Sequence, residues 1–371
     1  MNTITFNRRP TFKKVKKTPQ TTIRLGGSDI ETFNKTLDAY RLNVKNASDP
    51  VLQFNYAKFL IDAANNEFQN DKEYRENLIE EGYRFLKKLS NNGYPEAQYY
   101  LANFYIDDND WDKALPLLVQ AAKHNHGPSC FEVGKYYERK HDNVKANQYY
   151  KKAASNNSTE GMYRLGVASL HGELNHRKDI KNAVKWFKRA LNNQNMDEGC
   201  GKCAFEMAQL YEYGYPPAVY QDDNYALELY VQAAELNCPE AQYKLGEAFE
   251  RGDLGCPVDA AQSIHWFVVS SESGEPRAQF ALAGWYLTGA QGVLESNDQE
   301  AYRYCLLSAN QEYEKAEYAL GYFYEMGIGI EANAEESNKW YKRAADHGDQ
   351  RYNFFFSFFF FFIIKTDENL I

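Results

Sequence analysis

The sequence predicts an all-α fold, a right-handed superhelical solenoid of helix–turn–helix repeats, and three observations predict it. The phrase Pro95-Glu96-Ala97-Gln98-Tyr99-Tyr100-Leu101-Ala102 returns, altered, from Gly127, Thr159, Gly201, Pro239, Pro276 and Glu314, at steps of 32, 32, 42, 38, 37 and 38 residues. A period in that range marks stacked helix pairs rather than one closed core. Positions three, seven, eight and eleven of each copy fall on one stripe of a 3.6-residue helix. After each copy, a capping residue opens a second run that closes on a pair of small residues. Proteins built this way hold other proteins.

The first helix of each unit, helix A, rests on four columns. Its third position is small in every copy (Ala97, Ser129, Gly161, Cys203, Ala241, Ala278, Ala316), and its fifth is aromatic, from Tyr99 to Tyr318. The seventh is aliphatic or Met, beginning with Leu101, and the eighth is only Gly or Ala: Ala102, Gly134, Gly166, Ala208, Gly246, Ala283 and Gly321. Gly inside a helix costs about 1 kcal/mol against Ala, so its return at one column predicts a close backbone approach between neighbouring helices. Position eleven is aromatic in every copy but the third, where Ser169 stands.

The second helix, helix B, opens behind Asp110, Asn143, Asp179, Asp223, Asp259, Asp298 or Asn333, whose side-chain oxygens are expected to accept an orphaned backbone N–H. It closes on pairs such as Ala121-Ala122 and Ser270-Ser271. Three residues before the pair sits a large apolar group in nearly every copy: Leu118, Tyr150, Phe187, Tyr230, Phe267, Cys305 or Tyr341. Gly and Pro punctuate the units, as at Cys238-Pro239. Pro116, inside the first helix B, is expected to kink it.

Four regions follow. Residues 1–45 form a basic, largely disordered arm, 46–94 a degenerate capping helix pair opened by Asp49-Pro50, 95–349 the seven repeats, and 350–371 an irregular Phe-rich tail. The apolar content of 44% suffices for a large buried surface, spread along a strip. Net charge is −9, which argues against nucleic-acid binding by the body. Residues 1–28 nevertheless carry seven cations and no acid, leaving the remainder at −16. That arm reads first as a solvated tail, second as a weak peripheral contact with anionic membrane or an acidic partner, and third as a nuclear signal. No apolar segment follows Met1 as in a secretion signal, and six Cys without such a signal imply reduced thiols in the cytosol. The run Phe354–Ile364 is too short to span a bilayer, so no transmembrane segment is expected. It begins where an eighth helix A should open and keeps none of the four columns, so we read it first as an artefact of gene prediction over T-rich noncoding DNA and, if genuine, as a membrane-surface anchor or an aggregation hazard.

Catalytic and cofactor chemistry is not found. Cys200-Gly201-Lys202-Cys203 is a lone C-x-x-C, and Cys203 is already explained as a small column-three residue. His124 and His126 sit at the end of a helix B, where cations favour exposed carbonyls. His171, Glu173 and His176 share a loop and are expected to be solvated. No phosphate loop, nucleophile elbow or H-E-x-x-H appears, so no catalytic residue, cofactor or metal ligand is assigned. Tyr100, Tyr136, Tyr137 and Tyr322, on the inner helix A face, are the candidate partner-binding residues, because Tyr is enriched in binding hot spots.

The A-x-x-x-L-G/A-x-x-Y pattern of helix A, with a helix B ending in Ala-Ala, resembles the Sel-like repeat family, cousins of the tetratricopeptide repeat. A narrower resemblance lies at Asp49-Pro50 with Gln53-Phe54, Tyr56-Ala57-Lys58-Phe59-Leu60 and Ala63-Ala64, followed by Gly93–Tyr99 and Lys113–His124. These phrases look like the fungal chitin synthase activator family. The resemblance implies a non-catalytic regulatory subunit that binds a membrane chitin synthase catalytic subunit from the cytosolic face. Its implied role is to activate or recruit that enzyme for cell-wall and septum chitin. The implied location is cytoplasmic, peripheral to the plasma membrane, septum or growth sites. Some family members end in a prenylation box; the sequence ends Glu368-Asn369-Leu370-Ile371, so that anchor is not expected. The alternative is a generic Sel-like repeat adaptor serving protein quality control or signalling.

Overall fold

The computed structural model describes residues 37–44, 49–66, 72–193 and 197–348. The basic segment 1–28 and the tail 350–371 lie outside the described residues. Among the described residues the structure is helical, apart from turns and two single β-bridges, Tyr215 with Val219 and Ala290 with Leu294. Helix α1 covers 37–44, followed by α2 (Pro50–Asn66) and α3 (Lys72–Asn91). Helices A and B then alternate as α4 (Pro95–Asp107), α5 (Trp111–Lys123), α6 (Gly127–Arg139), α7 (Asn143–Ser155), α8 (Thr159–His171) and α9 (Ile180–Leu191). They continue as α10 (Glu198–Tyr213), α11 (Asp223–Glu235), α12 (Pro239–Arg251) and α13 (Ala260–Glu272). The last are α14 (Pro276–Thr288), α15 (Asp298–Ala309), α16 (Glu314–Met326) and α17 (Ala334–Asp346). The chain divides into two compact units, Met1–Asp179 and Ile180–Ile371, with the boundary between the two helices of the third repeat.

Six of the seven helices A open on the residue where the repeated phrase opens. The fourth opens at Glu198 rather than Gly201, because Asp197 accepts the Cys200 N–H and caps it earlier. Asp110, Asp259 and Asn333 cap helices B as expected. At three others the cap is one residue earlier: Asp142, Asp222 and Asn297 replace the expected Asn143, Asp223 and Asp298. Both residues of each pair can accept an N–H, and in each the first stands just outside the helix and does so. Asp179 stands immediately before α9. Helix α5 runs without interruption through Pro116.

In the first unit, α2 and α3 pair and pack Ile61, Leu86 and Leu89 against Ala97 of the first repeat. Helix α1 falls inside the stretch expected to be an irregular arm. Leu37 and Val44, spaced for one helical face, are 1% and 2% exposed and pack with Tyr56, Leu60 and Leu78. The neighbouring basic run had masked that short stripe.

The Gly/Ala column has a different cause from the one expected. A Cβ added at Gly134 would lie 2.6 Å from the Tyr150 ring, at Gly246 2.5 Å from Phe267, and at Gly321 2.7 Å from Tyr341. The missing side chain therefore accommodates the large residue of the same repeat's helix B. Burying such a ring stabilises by about 1.5–3 kcal/mol, more than the helix cost of Gly. Where helix B offers only Leu118 or Cys305, the column holds Ala102 or Ala283 in the same core cluster; the fourth repeat is the exception, with Ala208 and Tyr230 at these two positions. The close approach between successive repeats is instead at column three, where a Cβ on Gly161 would lie 2.8 Å from the Ala153 Cβ of the preceding helix B. Ala97, Leu101, Gly166 and Ala208 are all buried. Where Ser replaces the first residue of the small pair, it stays satisfied: Ser270 and Ser308 donate to the Pro239 and Pro276 carbonyls at 2.8 and 2.6 Å.

Candidate partner-binding surface

The four candidate tyrosines are placed differently. Tyr100 is half-buried between Phe54 and Phe104, with centroids 6.0 and 5.5 Å away, and with Lys58 over its ring. Burial, with Asp62 adding to it, pushes its phenol up to about 12. Tyr136 lies 5.3 Å from the Trp111 ring and contacts Tyr137 edge-on. Tyr137, at position eleven, stacks on Tyr149 of its own helix B at 5.7 Å, with Lys145 over it. Tyr322 stands open at 45% exposure. The first unit thus gathers Tyr136 and Tyr137 with Trp111, while Tyr100 belongs to the seam with the capping pair.

A second set of residues, absent from the sequence reading, lies on the helices A. Counting from each repeat's opening, position twelve is Glu138, Glu212, Glu250 or Glu325 in four repeats and Ile106, Leu170 or Leu287 in the others. Wherever helix B carries Tyr at its large position, position twelve is Glu and takes the hydroxyl. Tyr150 donates to Glu138 at 2.6 Å, Tyr230 to Glu212 at 2.5 Å and Tyr341 to Glu325 at 2.7 Å. A buried hydroxyl needs an acceptor, and the carboxylate next to last in helix A supplies it. Two of these carboxylates also meet a cation from position six of the next helix A: Arg164 pairs with Glu138, and Lys244 with Glu212 at 2.9 Å.

The fifth repeat breaks this arrangement. Its Glu250 faces a helix B carrying Phe267, which has no hydroxyl, and position six of the next helix A is Ala281. Glu250 makes no hydrogen bond or ion pair within the described residues. Position ten of that next helix, Ala168 and Ala248 in the two complete cases, is Trp285, whose indole Nε1 is buried without an acceptor. The electrostatics differ accordingly. Burial raises the Glu138 carboxyl, but hydrogen bonds from Arg164 and Tyr150 outweigh it and hold it below the usual carboxylate range. Glu250 is raised, first by partial desolvation and then by Glu247, with Arg251 opposing.

The groups weighed for chemistry are taken up in structure. Cys200 and Cys203 are fully buried, and the Cys200 thiol donates to the Ala190 carbonyl at 3.2 Å. His126 caps α6, its Nδ1 accepting the Ser129 N–H at 3.2 Å, and burial lowers its pKa. The loop expected to be solvated is tied down at two points: Glu173 pairs with Arg164 at 2.7 Å, and His176 Nε2 meets Asn147 Oδ1 at 3.1 Å. Long-range partners such as Asn147 cannot be seen from loop composition. Among the described residues no cluster of three or more His, Cys, Asp or Glu is placed to hold a metal ion. No described helix is long and apolar enough to cross a membrane.

The Sel1 repeat pattern matches residues 95–108, 120–158, 159–195, 201–238, 239–274, 276–313 and 314–349. The chain belongs to the Sel1-repeat family. Six of those seven matches open where the repeats defined above open. The chain is 34% identical over 342 residues to the chitin synthase regulator SKT5 of Saccharomyces cerevisiae, covering 85% of this chain and 49% of that protein. It is 36% identical over 336 residues to the chitin synthase regulator SKT5 of Malassezia restricta, covering 85% of this chain and 23% of that one. It thus spans about half or less of the length of these relatives. Among solved structures, a Sel1 repeat protein from Oxalobacter formigenes matches with a TM-score of 0.56 at 22% identity, covering 86% of this chain and 92% of that one, which establishes the shared repeat fold.

Proposed function

We propose that the chain is a non-catalytic scaffold that binds a membrane chitin synthase catalytic subunit and activates or recruits it for cell-wall and septum chitin. The observation that carries this reading is the 34% identity to a chitin synthase regulator across 85% of the chain. The repeat architecture supports it physically. Small columns pack the helices closely, and the helix A positions not used in packing are left to form an extended surface for another protein. On this reading the chain works in the cytoplasm at the inner face of the plasma membrane, at septa and growth sites. Its contacts come from helix A side chains, with Tyr136 and Tyr322 as aromatic anchors. The basic segment 1–28 adds a weak peripheral contact with the membrane.

Affinity capture from cells, followed by mass spectrometry, tests this. A chitin synthase should be recovered with the chain, and deletion should reduce septal chitin. Recovery of an unrelated complex, with septal chitin normal after deletion, would replace this reading with that of a generic Sel-like repeat adaptor in quality control or signalling.

A further inference from the structure

Position four of helix A ties neighbouring helices together through neutral amides, except in the last repeat. Gln98 and Gln242 donate to the Ser90 and Ala234 carbonyls near the end of the preceding helix, each at 3.1 Å. Gln279 accepts instead from Gln311 Nε2 at 2.8 Å, two residues beyond the small pair that closes its own helix B. In the seventh repeat both members of that second contact become ionisable: Glu317 stands at the place of Gln279, and His347 at that of Gln311.

Glu317 is 0% exposed, and an ionised carboxylate has no hydrogen to give to a carbonyl. It is met by two cationic side chains of helix B. His347 Nδ1 lies 2.7 Å from Oε2, and Arg343 Nη2 stands 3.2 Å from Oε1 as an ion pair. Oε1 makes no hydrogen bond among the described residues, so the contact with His347 matters the more to this buried charge. Both partners belong to the end of α17, Arg343 in its last turn and His347 as its C-cap. That helix buries two residues, Ser337 and Ala344, where α15 buries Ala301, Cys305, Ser308 and Ala309. Elements with little buried surface open first, so what holds the end of α17 decides how firmly it is docked. The charged groups facing His347 are Glu317 from α16, Glu312 from the turn before it, and Arg343 on its own helix. The hydrogen bond to Glu317 raises the imidazole above its usual value, with desolvation opposing. His126 and His176, by contrast, are lowered by burial.

We propose that Glu317, His347 and Arg343 form a pH-sensitive latch on the last helix, closed when His347 is protonated and loosened when it is neutral. A neutral imidazole keeps at most the hydrogen bond and loses its charge beside the buried carboxylate. Since the folded value lies above the unfolded one near 6.5, the contribution is full below about pH 6.5 and is lost as pH rises through the folded value. The sixth repeat, joined by two amides, is the pH-indifferent form of the same contact. The latch stands apart from the scaffold reading, because it is read in the chain alone.

Hydrogen–deuterium exchange of the full chain from about pH 6 to about pH 8.5, corrected for the intrinsic rate at each pH, tests it. Protection of the α17 amides should fall by at least about threefold over that range, while protection of α15 changes less than about twofold. In the Glu317→Gln, His347→Gln chain, which rebuilds the amide pair of the sixth repeat, the two helices should respond alike. Proton NMR, with His347 assigned through His347→Gln, should find it titrating above His126 and His176, and Glu317→Gln should bring it down. Wild-type protection of α17 that ignores pH, or a fall that persists in the double variant, would overturn the proposal. So would a His347 that titrates with the other two histidines or below them, a result the wild-type chain gives by itself. Thermal melts check that the double variant is folded.

Discussion

The second and fifth repeats are built on one packing plan and differ at one seam. Each has a glycine at position eight under an aromatic ring of helix B, Gly134 beneath Tyr150 and Gly246 beneath Phe267. Each has a glutamate at position twelve. In the second repeat that glutamate is fixed by Tyr150 and Arg164, and its charged form is favoured. In the fifth it has no such partners, and its charged form is disfavoured. Loss of one hydroxyl and one cation leaves the helix pair intact and changes only what the seam presents. In a repeat protein the packing columns can therefore stay constant while recognition is written into the positions between them.

The largest effect should fall on what the two repeats share. Gly134→Leu and Gly246→Leu should each destabilise by about 3 kcal/mol through overpacking; a chain that melts unchanged with either would remove the ring-under-glycine account. Next, Glu138→Gln should cost about 2 kcal/mol at neutral pH, because it weakens hydrogen bonds to a charged group and leaves Arg164 short of a partner. The Glu138 carboxyl is depressed in the fold, so its contribution is present above the unfolded value near 4.3 and is lost as pH falls through the lower folded value. The gap between wild type and variant in chemical denaturation should close on acidification.

Completing the fifth repeat should act in the opposite direction. Phe267→Tyr with Ala281→Arg should stabilise by about 1 kcal/mol, as one net hydrogen bond and a part-exposed ion pair allow. Gly284, one residue beyond the Gly/Ala column on α14, meets nothing within 4 Å of an added Cβ, so Gly284→Ala should gain about 0.5–1 kcal/mol of helix propensity. This separates glycines that packing requires from one that it does not. Glu250→Gln should be smallest, a gain of up to about 0.5 kcal/mol at neutral pH. Because Glu250 is raised in the fold, its cost is full above the folded value and vanishes below the unfolded one, so this gain should fade on acidification.

Most of the fold could be read from the sequence because packing columns repeat. Ala97, Ala102, Gly134 and Gly246 recur at fixed spacing, and the openings of α4, α6, α8, α12, α14 and α16 followed to the residue. Capping was less legible, because Asp142-Asn143 and Asp222-Asp223 offer two acceptors and local propensity does not choose between them. The reason for the glycines was hidden, since Tyr150 and Phe267 meet them from a helix sixteen and twenty-one residues further on. The candidate surface was the least legible part. Tyr137 matches the pattern of an exposed anchor until Tyr149 is placed against it. Glu250 could have been found by lining up position twelve with the large residue of helix B, a pairing that appears only once the helix pair is closed.

The most direct measurement is a titration of the two carboxyls in one sample, by carbon-13 NMR of glutamate side chains assigned with Glu138→Gln and Glu250→Gln. The account predicts Glu138 below the usual glutamate value and Glu250 above it, with Glu250 moving down in the Phe267→Tyr, Ala281→Arg chain. Two carboxyls titrating together, or a Glu250 that does not move in the doubly substituted chain, would contradict it.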